Sequence, residues 1–310
     1  MIETGLVRKP TEKHPTAFQA TQLTPTTFLI KEYDDIYSEH PFIYVKIVAQ
    51  ANLVVVIDTG CGGASSNSNI HDIGLREFIE MVDIDVNDGK PLNREGKMNY
   101  TVVITHCHYD HILGVEQFSD STILASSRDF PFLLPSALPD SSLCKGMGIH
   151  TPSYISTLVP HLYSIPECAV LILHTPGHTP DEVAIYDSAE KMLYVGDSVY
   201  EDEDIIISNQ GSITEWLASI TVLISLVNAE NQKQDSGVIR EVLINAGHCT
   251  AGKPALEVLK AGKAFMLDVI NRKEPIRKRA VIWGEENVYY RQERGRFSLR
   301  CPARLVLGTA

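Results

Sequence analysis

Short apolar segments bounded by polar or turn-forming residues predict β-strands in the first half of the chain. Three of them follow one another at 26–33 (TTFLIKEY), 42–50 (FIYVKIVAQ) and 53–60 (LVVVIDTG). They are rich in β-branched and aromatic residues, which suit a pleated and half-buried surface. Apolar residues at helical spacing then predict a helix over 74–82.

The order of strands followed by helices occurs a second time further along the chain. Strands are predicted at 100–105 and 121–126 and, past a proline-rich segment, in the runs VLIL, VAIY and MLYV. The remaining predicted elements are a helix over 212–228, a strand over 238–248, a helix over 253–272 and edge strands in the C-terminal tail. Two such blocks predict an α/β protein with two sheets packed face to face and helices outside.

The proline-rich segment 127–165 is expected to be an irregular insertion in a single domain that spans 1–310, because no linker-like stretch separates the two halves. Its apolar side chains include Phe130, Phe132 and Tyr154. They are expected to form the apolar wall of a pocket, or else a second packing layer or a dimer contact. A homodimer is therefore among the expected assemblies.

Composition and charge exclude several classes of partner. The chain has 310 residues, of which 44% are apolar, and a formal net charge of −12. The basic residues form only short clusters, so we expect no nucleic-acid partner. No apolar run is long enough to span a bilayer, so we expect no membrane partner. The N-terminus lacks a signal-peptide pattern and the six cysteines form no CxxC pair, which favours a cytoplasmic protein with reduced thiols.

The segment THCHYDH at 105–111 places three histidines and an aspartate at the end of a predicted strand. On an extended segment His106 and His108 point the same way because side chains alternate. Asp110 points the same way as His106 and His108, and His111, one residue further on, does not. One loop can therefore offer two imidazoles to one metal, and a carboxylate and an imidazole to a second. Zinc takes such nitrogen and oxygen ligands but needs more of them than this loop provides.

Three later strand ends supply further ligand candidates. His178 follows the strand VLIL within a Pro-Gly turn, Asp197 follows the strand MLYV, and His248 follows the strand VLIN. Each comes after an apolar run and next to a glycine. This repetition predicts that the three residues gather at one edge of the sheets, where loops carry function.

The chain resembles the metallo-β-lactamase superfamily in the order of its motifs. These are HxHxDH, a TPGHT turn, and then GD and GH, each after a strand. The resemblance runs from the DTG motif at 58–60 to His248 and implies an αββα four-layer sandwich with two divalent metal ions. The implied ligands are His106, His108 and His178 for the first metal, Asp110, His111 and His248 for the second, and Asp197 as the bridge. Asp58 is expected to orient a ligand histidine or its loop.

The resemblance also implies the chemistry. Two metals about 3.5–4 Å apart can share a water and lower its pKa toward neutrality, which gives a hydroxide nucleophile without a serine or cysteine. Asp110 is the expected proton acceptor. Zinc is the expected metal, although imidazole and carboxylate ligands also suit iron or manganese.

Tyr200 gives the first indication of a substrate. In the motif GDSVY it stands where the similar acyl-homoserine lactone hydrolases have a tyrosine whose phenol hydrogen-bonds the lactone carbonyl. A phenol with a pKa of about 10 is a neutral donor that can strengthen its bond as an oxyanion develops. The alternative is an ordinary aromatic residue in a loop.

The sequences ITHCHYDH and INAGHCT also resemble fungal members of the superfamily, some of which open lactam or cyclic carbamate rings. The expected function is therefore hydrolysis of a small cyclic amide or ester, such as a γ-lactam, a benzoxazolinone or a lactone, in xenobiotic detoxification. Two alternatives stay open. One is an acyl-thioester hydrolase acting on an acyl-carrier protein or coenzyme A, and the other is a non-catalytic metal-binding scaffold.

Residues near the motifs have ordinary expected roles. His174 is expected to be structural, and His150 and His161 are expected at the loop surface. Cys107 and Cys249 neighbour ligands, but alternation points the thiol of Cys107 away from them, so we expect no redox role for either.

Overall fold

The first sheet builds on the alternating segments of the N-terminal half. The computed structural model describes residues 15–233, 241–293 and 295–308. Within the first of these ranges, seven strands form a sheet in chain order. They are β1 (Phe18–Gln22), β2 (Thr27–Glu32), β3 (Phe42–Val48), β4 (Leu53–Ile57), β5 (Asn99–Val103), β6 (Thr122–Ser126) and β7 (Thr157–Val159). Strands β1 to β4 pair antiparallel, and β4 to β7 pair parallel.

The second sheet contains six of the described strands, in the order β14-β13-β11-β10-β9-β8. They are β8 (Tyr163–Ser164), β9 (Val170–His174), β10 (Val183–Asp187), β11 (Met192–Tyr194), β13 (Leu243–Asn245) and β14 (Lys253–Pro254). Strand β13 is shorter than the strand predicted over 238–248, of which the first three residues lie outside the described part of the chain. Strands β9, β11 and β13 run in the same direction, so their C-terminal ends meet at one edge.

A third sheet corrects the expectation of two sheets with edge strands in the tail. It joins β12 (Asp204–Ile206), β15 (Lys278–Ile282), β16 (Glu285–Arg291) and β17 (Ser298–Pro302), in the order β12-β17-β16-β15 among the described residues. Strand β12 begins at Asp204, the last residue of the acidic run EDED at 201–204, and it pairs in parallel with β17 of the tail. A pairing across such a distance along the chain leaves no mark in the local pattern of either strand.

The helices lie where the helical spacing predicts them, with several short ones added. They are α1 (Leu75–Met81), α2 (Tyr109–Ile112), α3 (Leu138–Ser141), α4 (Cys144–Met147), α5 (Ile213–Gln232), α6 (Ala255–Ile270) and α7 (Arg304–Leu307). Single 3₁₀ turns lie at Ala49–Ala51, Asp85–Asn87, Arg94–Gly96, Val115–Phe118 and Phe130–Leu133. Helix α5 begins after Ser212, whose side chain accepts a hydrogen bond from the backbone N–H of Glu215 at 3.3 Å and so caps the helix.

The side chains of the two large sheets alternate between an inner and an outer apolar cluster. In β3, Tyr44 points into the cluster between the sheets, while Val45 points into the cluster beneath α1. In β10, Ile185 points between the sheets, while Ala184 faces the cluster formed with α5 and α6. This arrangement confirms the predicted α/β sandwich with helices outside both sheets.

The segment 127–165 contains a 3₁₀ turn and the short helices α3 and α4, and it ends in β7 and β8. Phe132 and Tyr154 pack against the outer cluster of the first sheet, whereas Phe130 and Met147 are exposed. These contacts favour the packing-layer alternative over a pocket wall for Phe132 and Tyr154.

Helix α5 is, within the described residues, the one helix that is long and apolar enough to cross a bilayer by length and composition. Its buried side chains, including Trp216, Ile220 and Leu223, belong to the apolar cluster of the second sheet. Packing within the protein therefore accounts for its apolar face.

Candidate metal centre

The predicted ligands come together where the two large sheets meet. The loop after β5 carries His106 and His108, and Asp110 and His111 lie in the first turn of α2. Residues 178, 197 and 248 follow β9, β11 and β13, whose C-terminal ends share one edge. All seven side chains are buried, in two groups able to hold a metal ion each.

The first group consists of three imidazole nitrogens that face one another. His106 Nε2 lies 3.2 Å from His108 Nδ1 and 3.2 Å from His178 Nε2. His108 Nδ1 lies 2.9 Å from His178 Nε2. Three nitrogens that converge in this way suit a cation with metal–nitrogen distances of about 2.0–2.1 Å.

The second group combines two carboxylates and two imidazoles. His111 Nε2 lies 3.5 Å from Asp110 Oδ2 and 3.4 Å from Asp197 Oδ1. His248 Nε2 lies 3.2 Å from Asp110 Oδ2 and 3.6 Å from Asp197 Oδ2. Asp197 Oδ2 is also 4.0 Å from His178 Nε2 of the first group, so this carboxylate stands between the two groups.

Asp58 fixes the far side of His111, as the resemblance implies. Its Oδ2 lies 2.9 Å from His111 Nδ1, and Thr105 donates to both of its oxygens, from the backbone N–H at 2.7 Å and from the hydroxyl at 2.8 Å. A carboxylate partner on one ring nitrogen fixes the tautomer and presents the other nitrogen to the metal.

Backbone carbonyls do the same for two other ligands. His178 Nδ1 lies 2.6 Å from the carbonyl oxygen of Ile206, the last residue of β12. His248 Nδ1 lies 3.0 Å from the carbonyl oxygen of Glu39, in the loop between β2 and β3. The sequence pattern gives no sign of either partner, because both contacts join distant parts of the chain.

Two buried polar atoms at the centre fit a bound cation. His111 Nε2 and Asp197 Oδ1 are buried without a hydrogen-bond partner in the described part of the protein. Unpaired buried polar atoms are costly. For His111 Nε2 and Asp197 Oδ1, which face the second group, coordination of a divalent ion would remove that cost. The donor set of imidazoles and carboxylates therefore fits two metal ions.

Burial dominates the pKa values of the first group. It lowers the pKa of His108 to about 3, and it holds the pKa of His106 well below its usual range, to which neighbouring histidines add. Burial also lowers the pKa of His178. The three imidazoles are therefore neutral at pH 7, which is the form that binds a metal.

Pairing with neighbouring charges dominates the pKa values of the second group. Burial opposes ionisation of Asp197, but His248 and His111 hold its pKa well below the usual range. Burial likewise works against the charged form of His248, but Asp197 and Asp110 raise its pKa to about 9. A cation bound here would displace imidazole protons, so its binding should weaken as pH falls.

Glu32 is a buried carboxyl group that the sequence motifs do not reveal. Its two oxygens accept the backbone N–H groups of Cys61 and Gly63, both at 2.7 Å, and so hold the loop that follows Asp58. Burial raises the pKa of Glu32 to about 8. The only local signal is an acidic residue at an inward position at the end of β2.

Two adjacent acids, which the motifs also do not reveal, support the ligand loops from behind. Asp181 Oδ2 accepts the backbone N–H of Cys107 at 3.0 Å, and Glu182 Oε1 accepts that of Asp197 at 3.0 Å. Burial raises the pKa of Asp181 to about 6. Two acids directly before the apolar run of β10 are the signal that the sequence offers.

Glycine is required at position 247 because the backbone there lies very close to two of the predicted ligands. A Cβ atom at this position would lie 2.3 Å from Asp197 Oδ1 and 2.7 Å from His111 Cε1. Only a residue without a side chain therefore lets the loop after β13 pack against these two ligands.

Tyr200 lies beside the centre, but its hydroxyl is engaged elsewhere. Its ring centroid is 5.9 Å from that of His248, and the hydroxyl donates to the backbone carbonyl of Asp204 at 3.1 Å. To act on a substrate the hydroxyl would have to leave that carbonyl. Its role as an oxyanion donor stays a prediction.

The neighbouring histidines and cysteines have structural environments. His174 Nε2 contacts the carbonyl oxygen of Val159 at 3.0 Å, which links β9 to β7. The backbone N–H of His174 donates to His161 Nδ1 at 3.0 Å. Burial holds the thiol pKa of Cys107 well above its usual range and raises that of Cys249 to about 12. Neither thiol has the lowered pKa of a reactive cysteine.

Comparison with known proteins confirms the resemblance. The profile of the Metallo-beta-lactamase superfamily matches residues 43–230, more than half of the chain. The chain therefore belongs to the metallo-beta-lactamase superfamily. It is 35% identical over 272 residues to the putative transcription factor avaE of Aspergillus versicolor, covering 84% of this chain and 79% of that protein.

Other similarities are more distant. The human acyl-coenzyme A thioesterase MBLAC2 is 25% identical over 209 residues, covering 61% of this chain and 67% of the relative. A metallo-beta-lactamase family protein from Thermus thermophilus superposes with a TM-score of 0.58 at 16% identity, covering 81% of this chain and 82% of the other. A metallo-beta-lactamase from Pontibacter korlensis gives a TM-score of 0.53 at 16% identity, with coverages of 81% and 99%. The structural matches support the fold.

Proposed function

We propose that the protein is a metal-dependent hydrolase that opens a small cyclic amide or ester, such as a γ-lactam, a cyclic carbamate or a lactone. The observation that carries the proposal is the position of Asp197, which stands between a group of three histidines and a group with Asp110, His111 and His248. Two metal ions bound at such a site supply an activated water and polarise the substrate carbonyl.

The side chains of this centre have distinct tasks in the proposal. In the proposal Asp110 takes up a proton from the attacking water, through the carboxylate whose Oδ2 lies 3.2 Å from His248 Nε2. Asp58 keeps the ring of His111 in one orientation, since it contacts Nδ1 at 2.9 Å. Tyr200 is the proposed donor to the carbonyl oxygen of the ring.

An acidic group near the centre favours an uncharged substrate. Glu203 is exposed, and its charge adds to the effect of burial on the pKa of Cys249, the residue after His248. A carboxylate at this position would repel the phosphates of a substrate such as coenzyme A. A small neutral ring meets no such repulsion.

The test is a hydrolysis screen of metal-replete protein with lactones, γ-lactams, benzoxazolinones, acyl thioesters and phosphodiesters. We expect ring opening with a kcat/KM at least about tenfold above that for any thioester, a difference of about 1.4 kcal/mol in transition-state stabilisation. Turnover of thioesters alone would overturn the proposal. Protein with two bound metals and no turnover in any class would identify a non-catalytic scaffold.

The second candidate is an acyl-thioester hydrolase. It is favoured by the similarity to MBLAC2, a protein named as an acyl-coenzyme A thioesterase. The same site would serve, because thioester and lactone carbonyls are attacked alike. Adding acyl-coenzyme A and the matching acyl-pantetheine to the screen separates recognition of the phosphates from recognition of the thioester.

Zinc, a cytoplasmic location, a homodimer and a role in detoxification belong to the same proposal. The mixed imidazole and carboxylate ligands support zinc, with iron or manganese as alternatives. Metal analysis of protein purified without added metal tests the choice. Nucleic acids and membranes are not among the proposed partners.

A further inference from the structure

The loop between β2 and β3 is held in one shape by a single buried carboxylate. Asp35 Oδ1 accepts the backbone N–H groups of Tyr37 at 2.8 Å and Glu39 at 3.2 Å, and Asp35 Oδ2 accepts that of His40 at 2.8 Å. The Asp35 side chain is fully buried. Three charge-assisted hydrogen bonds accepted by one side chain fix the backbone of residues 37–40. This loop is named the β2–β3 loop (33–41).

The β2–β3 loop reaches the metal centre through Glu39. The carbonyl oxygen of Glu39 lies 3.0 Å from His248 Nδ1. The carboxylate of the same residue accepts a hydrogen bond from the hydroxyl of Tyr109, which stands between His108 and Asp110 in the chain. One residue of this loop therefore contacts two of the three segments that supply the second metal group.

The start of β3 is attached to the same place. The backbone N–H of Phe42 donates to the carbonyl of Gly247 at 2.7 Å, and the hydroxyl of Tyr44 donates to the carbonyl of Ala246 at 2.7 Å. The chain on the C-terminal side of the β2–β3 loop is thus anchored beside His248, and Asp35 fixes the backbone of residues 37–40 before that anchor.

We propose that Asp35 is a positioning residue for the second metal site. By fixing the β2–β3 loop it holds the carbonyl of Glu39 against His248 Nδ1, which keeps the proton on that nitrogen and leaves Nε2 free to bind the metal. Two of the three histidines of the first metal site are held by residues outside this loop. His178 is held by Ile206, and His106 by the hydroxyl of Thr105 at 3.1 Å.

Asp35→Ala should therefore weaken binding of the second metal equivalent selectively. We expect a loss of about 10–100-fold in its affinity, the usual cost of removing an outer partner of a metal ligand, with the first equivalent unchanged. Asp35→Asn keeps the oxygen that serves Tyr37 and Glu39 and loses the bond to His40, so it should give a smaller loss. Affinities are measured by titrating apoprotein with Zn²⁺ against a chromophoric chelator, without substrate.

Asp34→Ala is the matched control. It removes the same charge one residue earlier, from a carboxylate that accepts a hydrogen bond from Asn67 Nδ2 at 2.9 Å instead of bonding within the β2–β3 loop. The control should bind both equivalents like the wild type. Circular dichroism and thermal unfolding of each apoprotein show whether the variants fold, and Asp35→Asn carries the test if Asp35→Ala does not.

Three outcomes would overturn the inference. They are unchanged binding of the second equivalent in Asp35→Ala, equal loss at both sites, and an equal effect of Asp34→Ala. The inference rests on the metal centre of the proposed function and not on its substrate. A protein that hydrolyses none of the screened compounds can still show the selective loss, so failure of the two proposals is distinguishable.

Discussion

The predicted metal ligands differ in which group holds the side of each residue that faces away from the candidate metal centre. His111 is held by Asp58, the residue directly after β4, and the resemblance includes the expectation that Asp58 orients a ligand histidine or its loop. His248 is held by the carbonyl of Glu39, 209 residues away in the chain. A backbone carbonyl has no residue-type signature, so no motif could have pointed to it. The residue types of the predicted ligands can therefore be inferred from the sequence, but the groups that hold them in place can be inferred only in part.

The first prediction concerns the ligands of the second group. Asp110→Asn and His111→Ala should each lower kcat to below about 1% of the wild-type rate, because the site loses a ligand and, in Asp110→Asn, the proton acceptor. The fold should persist, since both side chains face the centre and not the apolar clusters. The measurement is kcat of each variant, in samples whose metal content has been determined. Wild-type rates in either variant would rule out the proposed role of that residue.

Gly247 gives a second prediction at this scale. Gly247→Ala should reduce metal content and destabilise the protein by about 1–3 kcal/mol, the usual cost of overpacking, because the added Cβ meets Asp197 and His111. Gly146→Ala is the control, since its Cβ would meet only Trp283 at 3.8 Å or more. Metal analysis and chemical denaturation measure the two effects. Equal behaviour of the two variants would contradict the close approach.

At the scale of elements, the strands and long helices follow the predicted pattern, and the exceptions have a common cause. Strand β12 and the tail strands form a third sheet through pairing between distant segments. The first turn of α2 begins between two ligands, where alternation predicts an extended chain. Both depend on contacts far along the chain, which override the local pattern.

The prediction at this scale concerns Glu32, which holds the loop after β4. Burial raises the folded-state pKa of Glu32 to about 8, above the ordinary value of 4.5 that applies in the unfolded chain. The stability that Glu32 contributes is therefore complete below pH about 4.5 and is lost as pH rises toward about 8. Glu32→Gln cannot ionise and should lack this loss.

The measurement is the free energy of unfolding of wild type and Glu32→Gln by urea denaturation between pH 5 and 9. The free energy of unfolding of the wild type should fall relative to that of Glu32→Gln as pH rises. A difference that is constant across this range would show that Glu32 does not bind its proton more tightly in the folded state.

At the scale of the whole molecule, the two large sheets supply complementary halves of one centre. The first sheet carries the loop and helix start with four ligands, and the second sheet carries three strand ends with the other three. Each half alone offers fewer ligands than two metals need. The αββα sandwich brings the halves together, and the similarity to the superfamily covers the segment in which most of them lie.

The central claim is that this combined centre acts through two metals. It is tested most directly by the rate of ring opening in apoprotein titrated with Zn²⁺, with bound metal measured in the same samples. We expect little activity up to one bound equivalent and a rise to full activity as the second binds. Full activity at one equivalent, or activity that persists in metal-free protein, would contradict the account.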